Sequence, residues 1–344
     1  MKKMISLFLA LALLLCVLVV PAMADDFLCG TLSYLNMTEE EDESLGTTLR
    51  MPLMRLLFLH GVLDREGADL SVSSPSFRYY DTLEGMLMAL QSGELNSINV
   101  PYYTARYLCS INDNLKLRAE YHPEKANEFC AWVLSILSDG YSFMMKEDNA
   151  ELRDAFNAQL TAMKEDGTLQ KLIDEYIVKA SEGGEPAAVA FEKFEGDPIK
   201  VAVTGALPPM DYVAPDGSFA GFNTAVLAEI GKRLQKNVQL VQVDSIGRAL
   251  ALSEGIVDVV FWTRAMSDSL AERRPADDNS GEEKLNPQNI QRLEAMTEEE
   301  KAILADTGIP DSETRAKFVV RDMPDGTIIT QPYFTDFQVQ VILK

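Results

Sequence analysis

The sequence predicts an α/β protein made of two βαβ-type lobes with a cleft between them. The first observation is the stretch 199–264, where short β-rich apolar runs at 199–204, 238–243 and 257–262 alternate with segments of helical period. The last run is almost continuously apolar, as is typical of a buried parallel strand. In such a layout, ligands bind at the carboxyl ends of the strands. We therefore expect a cleft beside Thr204 and beside the end of the last strand.

The second observation is an internal repeat. Ala-Leu-x-x-Gly-x-x-Asn-x-Ile at 89–98 matches Ala-Leu-x-x-Gly-x-x-Asp-x-Val at 251–260 with identical spacing. Each copy predicts a helix that ends on a glycine cap and leads at once into a buried strand. A third observation is the segment 181–198, which is rich in glycine, proline and alternating charge and is typical of a linker. Two related lobes explain the repeat better than chance does.

Residues 1–24 predict a signal peptide. Two lysines precede the apolar run 4–20, and Ala22-Met23-Ala24 fits the small-x-small cleavage pattern. The alternative is an uncleaved membrane anchor. No later run is long and apolar enough to cross a bilayer. We therefore expect an exported, otherwise soluble protein that is periplasmic, extracellular or attached to the cell surface.

Charge and composition exclude several classes of function. The formal net charge of −22 repels phosphate backbones, so we expect no nucleic-acid partner. His60 and His122 are isolated, and the sequence contains no HExxH, P-loop or GxSxG motif. We therefore expect no metal, no cofactor and no enzymatic activity. Cys109 and Cys130 either form one disulfide or are a pair of buried thiols.

Within 199–260 the elements come in a distinctive order. A strand is followed by Pro208-Pro209, the turn Asp216-Gly217, Gly221-Phe222-Asn223, a helix and Gly255-x-x-Asp258. This order resembles the extracellular solute-binding proteins of polar amino-acid ABC transporters, which have the type 2 periplasmic-binding-protein fold. Residues 330–344 resemble the family's segment that leaves its first lobe, and 142–176 resemble its C-terminal helices. The resemblance covers most of the chain after residue 24 and implies a bilobed binder.

The order of these pieces differs from that of the family. The resemblance makes 25–180 a lobe-two-like half that includes the C-terminal helices. It makes 199–344 a lobe-one-like half with a charged loop and helix inserted at 265–325. Because the halves together supply one complete set of pieces, we interpret the chain as a circular permutation of one binder. The alternative is a remnant of two tandem binders that each lost a lobe.

Family members hold the ligand's α-carboxylate with an arginine and hydroxyl groups, and its α-amino group with acidic side chains. Thr204 and Pro101 stand at the acidic positions here, and Leu270 stands in place of the arginine. An anionic, aromatic or peptide-like ligand therefore fits better than an ordinary zwitterionic amino acid. The candidate ligand contacts are Thr204, Met210, Tyr212, Trp262, Thr263 and Arg264 in one lobe, with Asn36 and Thr38 at a helix start in the other.

The functional expectation is a monomeric solute-binding protein that closes on its ligand by hinge motion. It would be the substrate-binding component of an ABC importer for an amino acid-like or small organic anionic ligand. Its partner would be an ABC permease or a membrane receptor. The alternative is a degenerate binding-fold protein that acts as a structural, interaction or sensory module. A hydrolase with carboxylate chemistry ranks third, because no carboxylate pair stands out in the sequence.

Overall fold

The computed structural model describes residues 27–33, 38–65, 76–245, 247–264, 295–305 and 324–344. The strands are β1 (Leu28–Leu32), β2 (Leu63–Asp64), β3 (Ser76–Tyr80), β4 (Ser97–Pro101), β5 (Leu115–Leu117), β6 (Glu120–Tyr121), β7 (Ser138–Lys146), β8 (Ile199–Val203), β9 (Ala206–Leu207), β10 (Asp211–Val213), β11 (Phe219–Ala220), β12 (Val238–Gln242), β13 (Val259–Arg264), β14 (Thr327–Ile329) and β15 (Phe334–Leu343). The α-helices are α1 (Glu39–Leu45), α2 (Met51–Leu59), α3 (Leu83–Gln91), α4 (Tyr102–Ile111), α5 (Glu128–Leu137), α6 (Ala150–Glu165), α7 (Thr168–Ile173), α8 (Lys179–Ser181), α9 (Phe222–Leu234), α10 (Gly247–Ser253) and α11 (Glu298–Ala305).

The main sheet contains two blocks of parallel strands. Its order is β12-β8-β13-β7-β15-β4-β1-β3, with β14 also beside β7 and β5 also beside β15. One block is formed by β1 with β3 and β4, and the other by β8 with β12 and β13. Between the blocks lie β7 and β15, which run antiparallel to their neighbours. The predicted α/β class with two βαβ-type units is therefore confirmed.

Both copies of the internal repeat form a helix, a glycine turn and a strand. The first copy runs from α3 into β4, and the second from α10 into β13. Gly93 and Gly255 end the helices with φ angles of 78° and 70°. This left-handed conformation favours glycine because it costs other residues free energy. In each copy the strand then pairs in parallel with the first strand of its block.

The buried side chains form two large hydrophobic cores. The first lobe (residues 27–137, 295–305 and 337–344) is built around side chains such as Leu53 and Met86. The second lobe (138–264 and 324–336) is built around Phe143, Phe156 and Phe222. A smaller cluster around Met144 lies on the other face of the second lobe's sheet, since successive side chains of β7 alternate between faces. Each parallel block thus has its own core.

The two cores do not divide the chain at the predicted linker. β7 pairs with β13, and α6 packs into the second core, so residues 138–165 lie with the half that follows the linker. The first eight residues of β7 are buried, which requires neighbours on both edges and both faces. Composition indicates where a linker lies, but it does not identify the strands with which a buried strand such as β7 pairs. The proposed permutation and domain boundaries stay predictions.

Two further sequence questions concern thiols and membrane segments. Cys29, Cys109 and Cys130 are free, so the structure has buried or half-buried thiols in place of the Cys109–Cys130 disulfide. Burial raises the pKa of the Cys29 thiol to about 11. Within the described ranges, no helix has the length and apolar character needed to cross a bilayer.

Helix α11 comes from the predicted insertion at 265–325, yet it packs on the first lobe. Met296 and Leu304 are buried in the first core. Thr297 and Glu300 form a reciprocal capping box, in which each backbone N–H donates to the other's side chain at 2.6 and 3.2 Å. The second Glu300 oxygen lies 2.7 Å from His60 Nε2 at the end of α2. Burial alone would raise the pKa of Glu300, but these bonds outweigh it and lower the pKa.

We expect Glu300→Gln to lower the free energy of unfolding by about 2 kcal/mol, because a buried charged acceptor loses bonds to Thr297 and His60. Glu299→Gln, on the exposed side of the same helix, is the matched control and should change stability by less than about 0.5 kcal/mol. Urea unfolding monitored by circular dichroism measures both variants. Equal effects of the two substitutions would show that Glu300 does not hold this helix.

A second stability prediction concerns Gly221, where the backbone has φ 105° and ψ 176° before α9. A Cβ there would lie 2.7 Å from the carbonyl oxygen of Met210. We expect Gly221→Ala to cost about 3 kcal/mol, since strain and a backbone clash add. Gly217→Ala, with positive φ but open space around the new Cβ, should cost only about 1 kcal/mol. A similar loss for both, measured by urea unfolding, would contradict the steric argument.

Candidate functional site

The two lobes meet where strand ends lead into other elements. Leu207 follows β8, Tyr103 follows β4, and each packs against both hydrophobic cores. The rings of Tyr107 on α4 and Tyr212 on β10 have centroids 6.5 Å apart across the same boundary. We call this region, formed by the start of α4 and the segment 204–213, the junction. It lies at the carboxyl ends of parallel strands, where the α/β layout predicts a ligand site.

Thr204 is at the junction, but its polar groups bond within the second lobe. Its N–H and hydroxyl donate to Asp211 Oδ2 at 2.7 and 3.0 Å, and Gly205 N–H donates to Asp211 Oδ1 at 3.1 Å. Its carbonyl accepts from Gln242 Nε2 at 3.3 Å. Asp211 is fully buried; burial raises its pKa, and these donors partly offset the rise. The carboxylate therefore fixes the turn from β8 to β10.

Of the other two candidates in this segment, one is buried in the core and one faces the junction. The Met210 side chain is 1% exposed and lies in the second core, so it offers no surface to a ligand in this arrangement. Tyr212 is half-buried next to Tyr107, and burial raises the pKa of both phenols. Of the two candidates Met210 and Tyr212, only Tyr212 presents a side chain at the boundary between the lobes.

Trp262, Thr263 and Arg264 form the end of β13, opposite 140–142 of β7 in the antiparallel ladder. Their backbone thus lies in the second lobe's sheet, at the carboxyl end expected from the sequence; their side chains are outside the described part. The candidates of the first lobe lie elsewhere. Asn36 is outside the described residues, and Thr38 is exposed at the start of α1, where its carbonyl accepts from Asp42 N–H at 3.0 Å.

Sequence reasoning missed an arginine that is anchored near the same strand end. Arg248 on α10 donates from Nη1 to the Phe261 carbonyl at 3.0 Å and from Nε to the Ser245 carbonyl at 3.1 Å. Its Nη2 donates to Ser245 Oγ at 3.2 Å. Asp211 interacts with it electrostatically. The anchoring brings a fixed positive charge to the edge of the second lobe's sheet, and no spacing pattern in the sequence predicts it.

Sequence reasoning also missed two acidic residues on the crossing strands. Asp336 on β15 and Asp139 on β7 are directly opposite in the antiparallel ladder, and both are buried. The N–H groups of Tyr103 and Phe337 donate to Asp336 at 3.0 and 2.9 Å, and Gln338 Nε2 donates to Asp139 at 3.0 Å. Burial raises the pKa of Asp336 to about 7, and the charge of Asp139 adds to the rise. Buried like-charged pairs of this kind raise pKa values strongly.

The chemistry available at the junction is that of recognition. Aromatic faces, a fixed guanidinium and peptide groups at strand ends can hold a small polar or aromatic molecule. Among the residues that the structure describes, no three His, Cys, Asp or Glu side chains come together as metal ligands.

Comparison with known proteins concerns mainly the second lobe. Residues 199–273 match the family described as bacterial extracellular solute-binding proteins, family 3. The resemblance to solute-binding proteins is thereby confirmed over this segment, which is less than a quarter of the chain. No curated protein sequence matches the chain significantly.

Solved structures to which the chain is similar include the following three, all of low sequence identity. One is the ligand-binding component of an ABC-type import system from Staphylococcus aureus with zinc bound (10% identity, TM-score 0.35, 92% of this chain and 65% of that chain). Another is NikA from Staphylococcus aureus in complex with Ni(L-His)2 (14% identity, TM-score 0.33, 78% and 57%). A third is an ancestral arginine-binding protein bound to glutamine (10% identity, TM-score 0.32, 92% and 83%). The chain thus spans less than two thirds of the length of the first two.

We expect Thr204→Val to lower the free energy of unfolding by about 2 kcal/mol, because a hydroxyl bond to a buried carboxylate is lost while the shape is kept. Thr204→Ser retains the hydroxyl and should recover most of this loss. Urea unfolding of the two variants beside the parent protein measures the difference. Equal stability of the valine and serine variants would show that the hydroxyl does not hold Asp211.

Proposed function

We propose that this protein is an exported, monomeric solute-binding protein, the substrate-binding component of an ABC importer. Its ligand is an amino acid-like or small organic anionic molecule, held at the junction between the lobes. It delivers that ligand to an ABC permease or signals its presence to a membrane receptor, and it carries out no chemistry on it. The family match over residues 199–273 is the observation that carries this proposal.

The architecture supports binding between lobes. Each lobe has its own core and its own parallel strands, and two antiparallel strands, β7 and β15, connect them. Two compact bodies joined by a few crossing strands are the usual basis of hinge closure around a ligand. The junction lies on this boundary, so a change in lobe separation alters access to Tyr107 and Tyr212.

The proposed ligand class rests on charge and on aromatic surface. Arg248 carries a fixed guanidinium near the strand end of the second lobe, and guanidinium groups match carboxylates geometrically. Arg264 ends the neighbouring strand β13. The tyrosines across the boundary add flat surfaces that suit an aromatic or extended apolar group. A carboxylate-bearing ligand is consistent with all three features.

A second candidate function has specific support. Met210 is a core residue, the polar groups of Thr204 bond to Asp211 and Gln242, and Leu207 packs against both cores. The positions of Thr204, Leu207 and Met210 correspond to ligand contacts in the family that the sequence resembles. A protein that kept the fold while its junction closed on itself would act as a structural, interaction or sensory module.

Thermal-shift screening of the protein with amino acids, organic acids and short peptides separates the two functions. A ligand at a hundred times its dissociation constant should add about 2.7 kcal/mol of stability, seen as a higher melting temperature. We expect the largest shift from a compound with a free carboxylate. An unchanged melting temperature across all three classes favours the module without transport.

Once a stabilising compound is found, Arg264→Ala tests the site. The shift should shrink or vanish in this variant, because the arginine is predicted to pair with the ligand's negative charge. Arg153→Ala on α6 removes an arginine that pairs with Asp154 and serves as the matched control, with the shift retained. If Arg264→Ala binds as tightly as the control, the ligand does not use the end of β13.

A further inference from the structure

The acidic pair on the crossing strands lies between elements of both lobes. β15 pairs with β7 of the second lobe through residues 334–337 and with β4 of the first lobe through 338–341. Asp336 therefore lies near the end of the part of β15 that pairs with the second lobe. Its carboxylate nevertheless accepts the N–H of Tyr103 on α4, which belongs to the first lobe. Both lobes contribute to its burial.

Helix α4 depends on this carboxylate for its cap. The residue before the helix is Pro101, which makes no side-chain cap bond. Asp336 supplies the acceptor from the neighbouring strand, next to the positive end of the helix dipole. The same helix carries Tyr103 and Tyr107, the first lobe's contacts at the junction. The acidic pair and the junction are thus linked through one helix.

Two opposed carboxylates with little access to water disfavour a second negative charge. Asp336 and Asp139 are 4% and 7% exposed, and residues directly opposite in an antiparallel pair place their Cβ atoms about 5 Å apart. Closely spaced buried carboxylates titrate as a pair and retain one proton to a higher pH than either would alone. A separation of the lobes that admitted water to the pair would lower this pKa and release the proton more readily.

The groups around the pair are mostly phenols. They are Tyr102, Tyr103 and Arg106 on α4, Tyr121 on β6 and Tyr141 on β7. Burial raises the pKa of Tyr121 to about 12 and also raises the pKa of Tyr103 and of Tyr141, so these phenols stay neutral between pH 5 and 9. Arg106 lies over the Tyr102 ring and 3.8 Å from Glu182. Among these groups, the one that gains or loses a proton near neutral pH is therefore the Asp336–Asp139 carboxylate pair.

We propose that closure of the two lobes is coupled to uptake of one proton by the Asp336–Asp139 pair. This inference rests on the proposed function, because it describes how the same junction is regulated. The sign follows from burial, which raises the pKa of Asp336 by more than the N–H bonds from Tyr103 and Phe337 lower it. A carboxylate whose pKa is raised in the closed form favours closure when protonated, below about pH 7, and opposes closure when it loses its proton as the pH rises. A ligand that requires closed lobes then binds more tightly at acidic pH.

The test follows lobe separation in the ligand-free protein, so that no ligand has to be known. Fluorophores attached through unnatural amino acids at the exposed positions Lys116 and Lys236 report the distance between the first and second lobes by energy transfer from pH 5 to 9. In the parent protein we expect the closed-to-open ratio to fall as the pH rises through about 7, by at most about tenfold per pH unit for one proton.

Asp336→Asn should abolish this pH dependence, whereas Asp139→Asn should move its midpoint to lower pH by removing the opposed charge. Thr335→Ala, the neighbouring control without a titrating group, should keep the parent profile. A residue with a purely structural role would shift the ratio equally at every pH, and that outcome overturns the proposal. It is also overturned if the parent protein shows no pH dependence, or if Asp336→Asn and Asp139→Asn both keep the parent profile.

The two proposals fail separately. A pH-dependent distance without any stabilising compound in the thermal-shift screen would leave the coupled pair in place and overturn solute binding. A stabilising compound found together with a flat distance profile would retain solute binding and overturn the coupling.

Discussion

The pairing of β15 with two partners is the constraint on which the rest of the structure depends. One ten-residue strand completes the ladder of β7 with its first residues and the ladder of β4 with its later ones. Two parallel blocks, each with its own core, are thereby held in one sheet. Whatever moves the lobes relative to each other has to bend this strand or β7, and Asp336 lies one residue before Phe337, the last residue that pairs with β7.

The junction combines features of a binding cleft with features of a packed interface. Tyr107, Tyr212 and Arg248 provide the surfaces and the charge that recognition of a small molecule requires. Leu207 instead packs against both cores, and Thr204 bonds to Asp211, so both residues make contacts within the protein. The balance between these roles depends on how readily the lobes separate. In our proposal the buried acidic pair contributes to that free energy, because burial opposes its charge more than the N–H donors of Tyr103 and Phe337 stabilise it.

Much of the fold could be predicted from local signals. Alternating and continuous apolar runs predicted the strands of the second lobe, and the glycine caps predicted the two copies of the helix–strand unit. The partners of the strands were harder to predict, because β7 mixes polar and apolar residues and is buried along almost its whole length, so that its pattern fits either half. At the site, Thr204 follows β8 directly, as the apolar run before it predicts, whereas its role as a ligand contact stays a prediction. Met210, a predicted ligand contact, has a side chain that is 1% exposed and lies in the second core, which spacing along the chain does not indicate.

The sequence by itself determined the α/β class, the internal repeat and the resemblance of residues 199–273 to solute-binding proteins, since these depend on periodicity, turn chemistry and the order of motifs along the chain. Only the tertiary structure decided that β7 joins the second lobe, that α11 packs on the first, and that Asp139 faces Asp336. Those contacts join residues far apart in sequence, such as Asp139 and Asp336 at a separation of almost two hundred positions. The register of a sheet brings them together, and no connecting turn fixes that register for two strands so far apart in the chain.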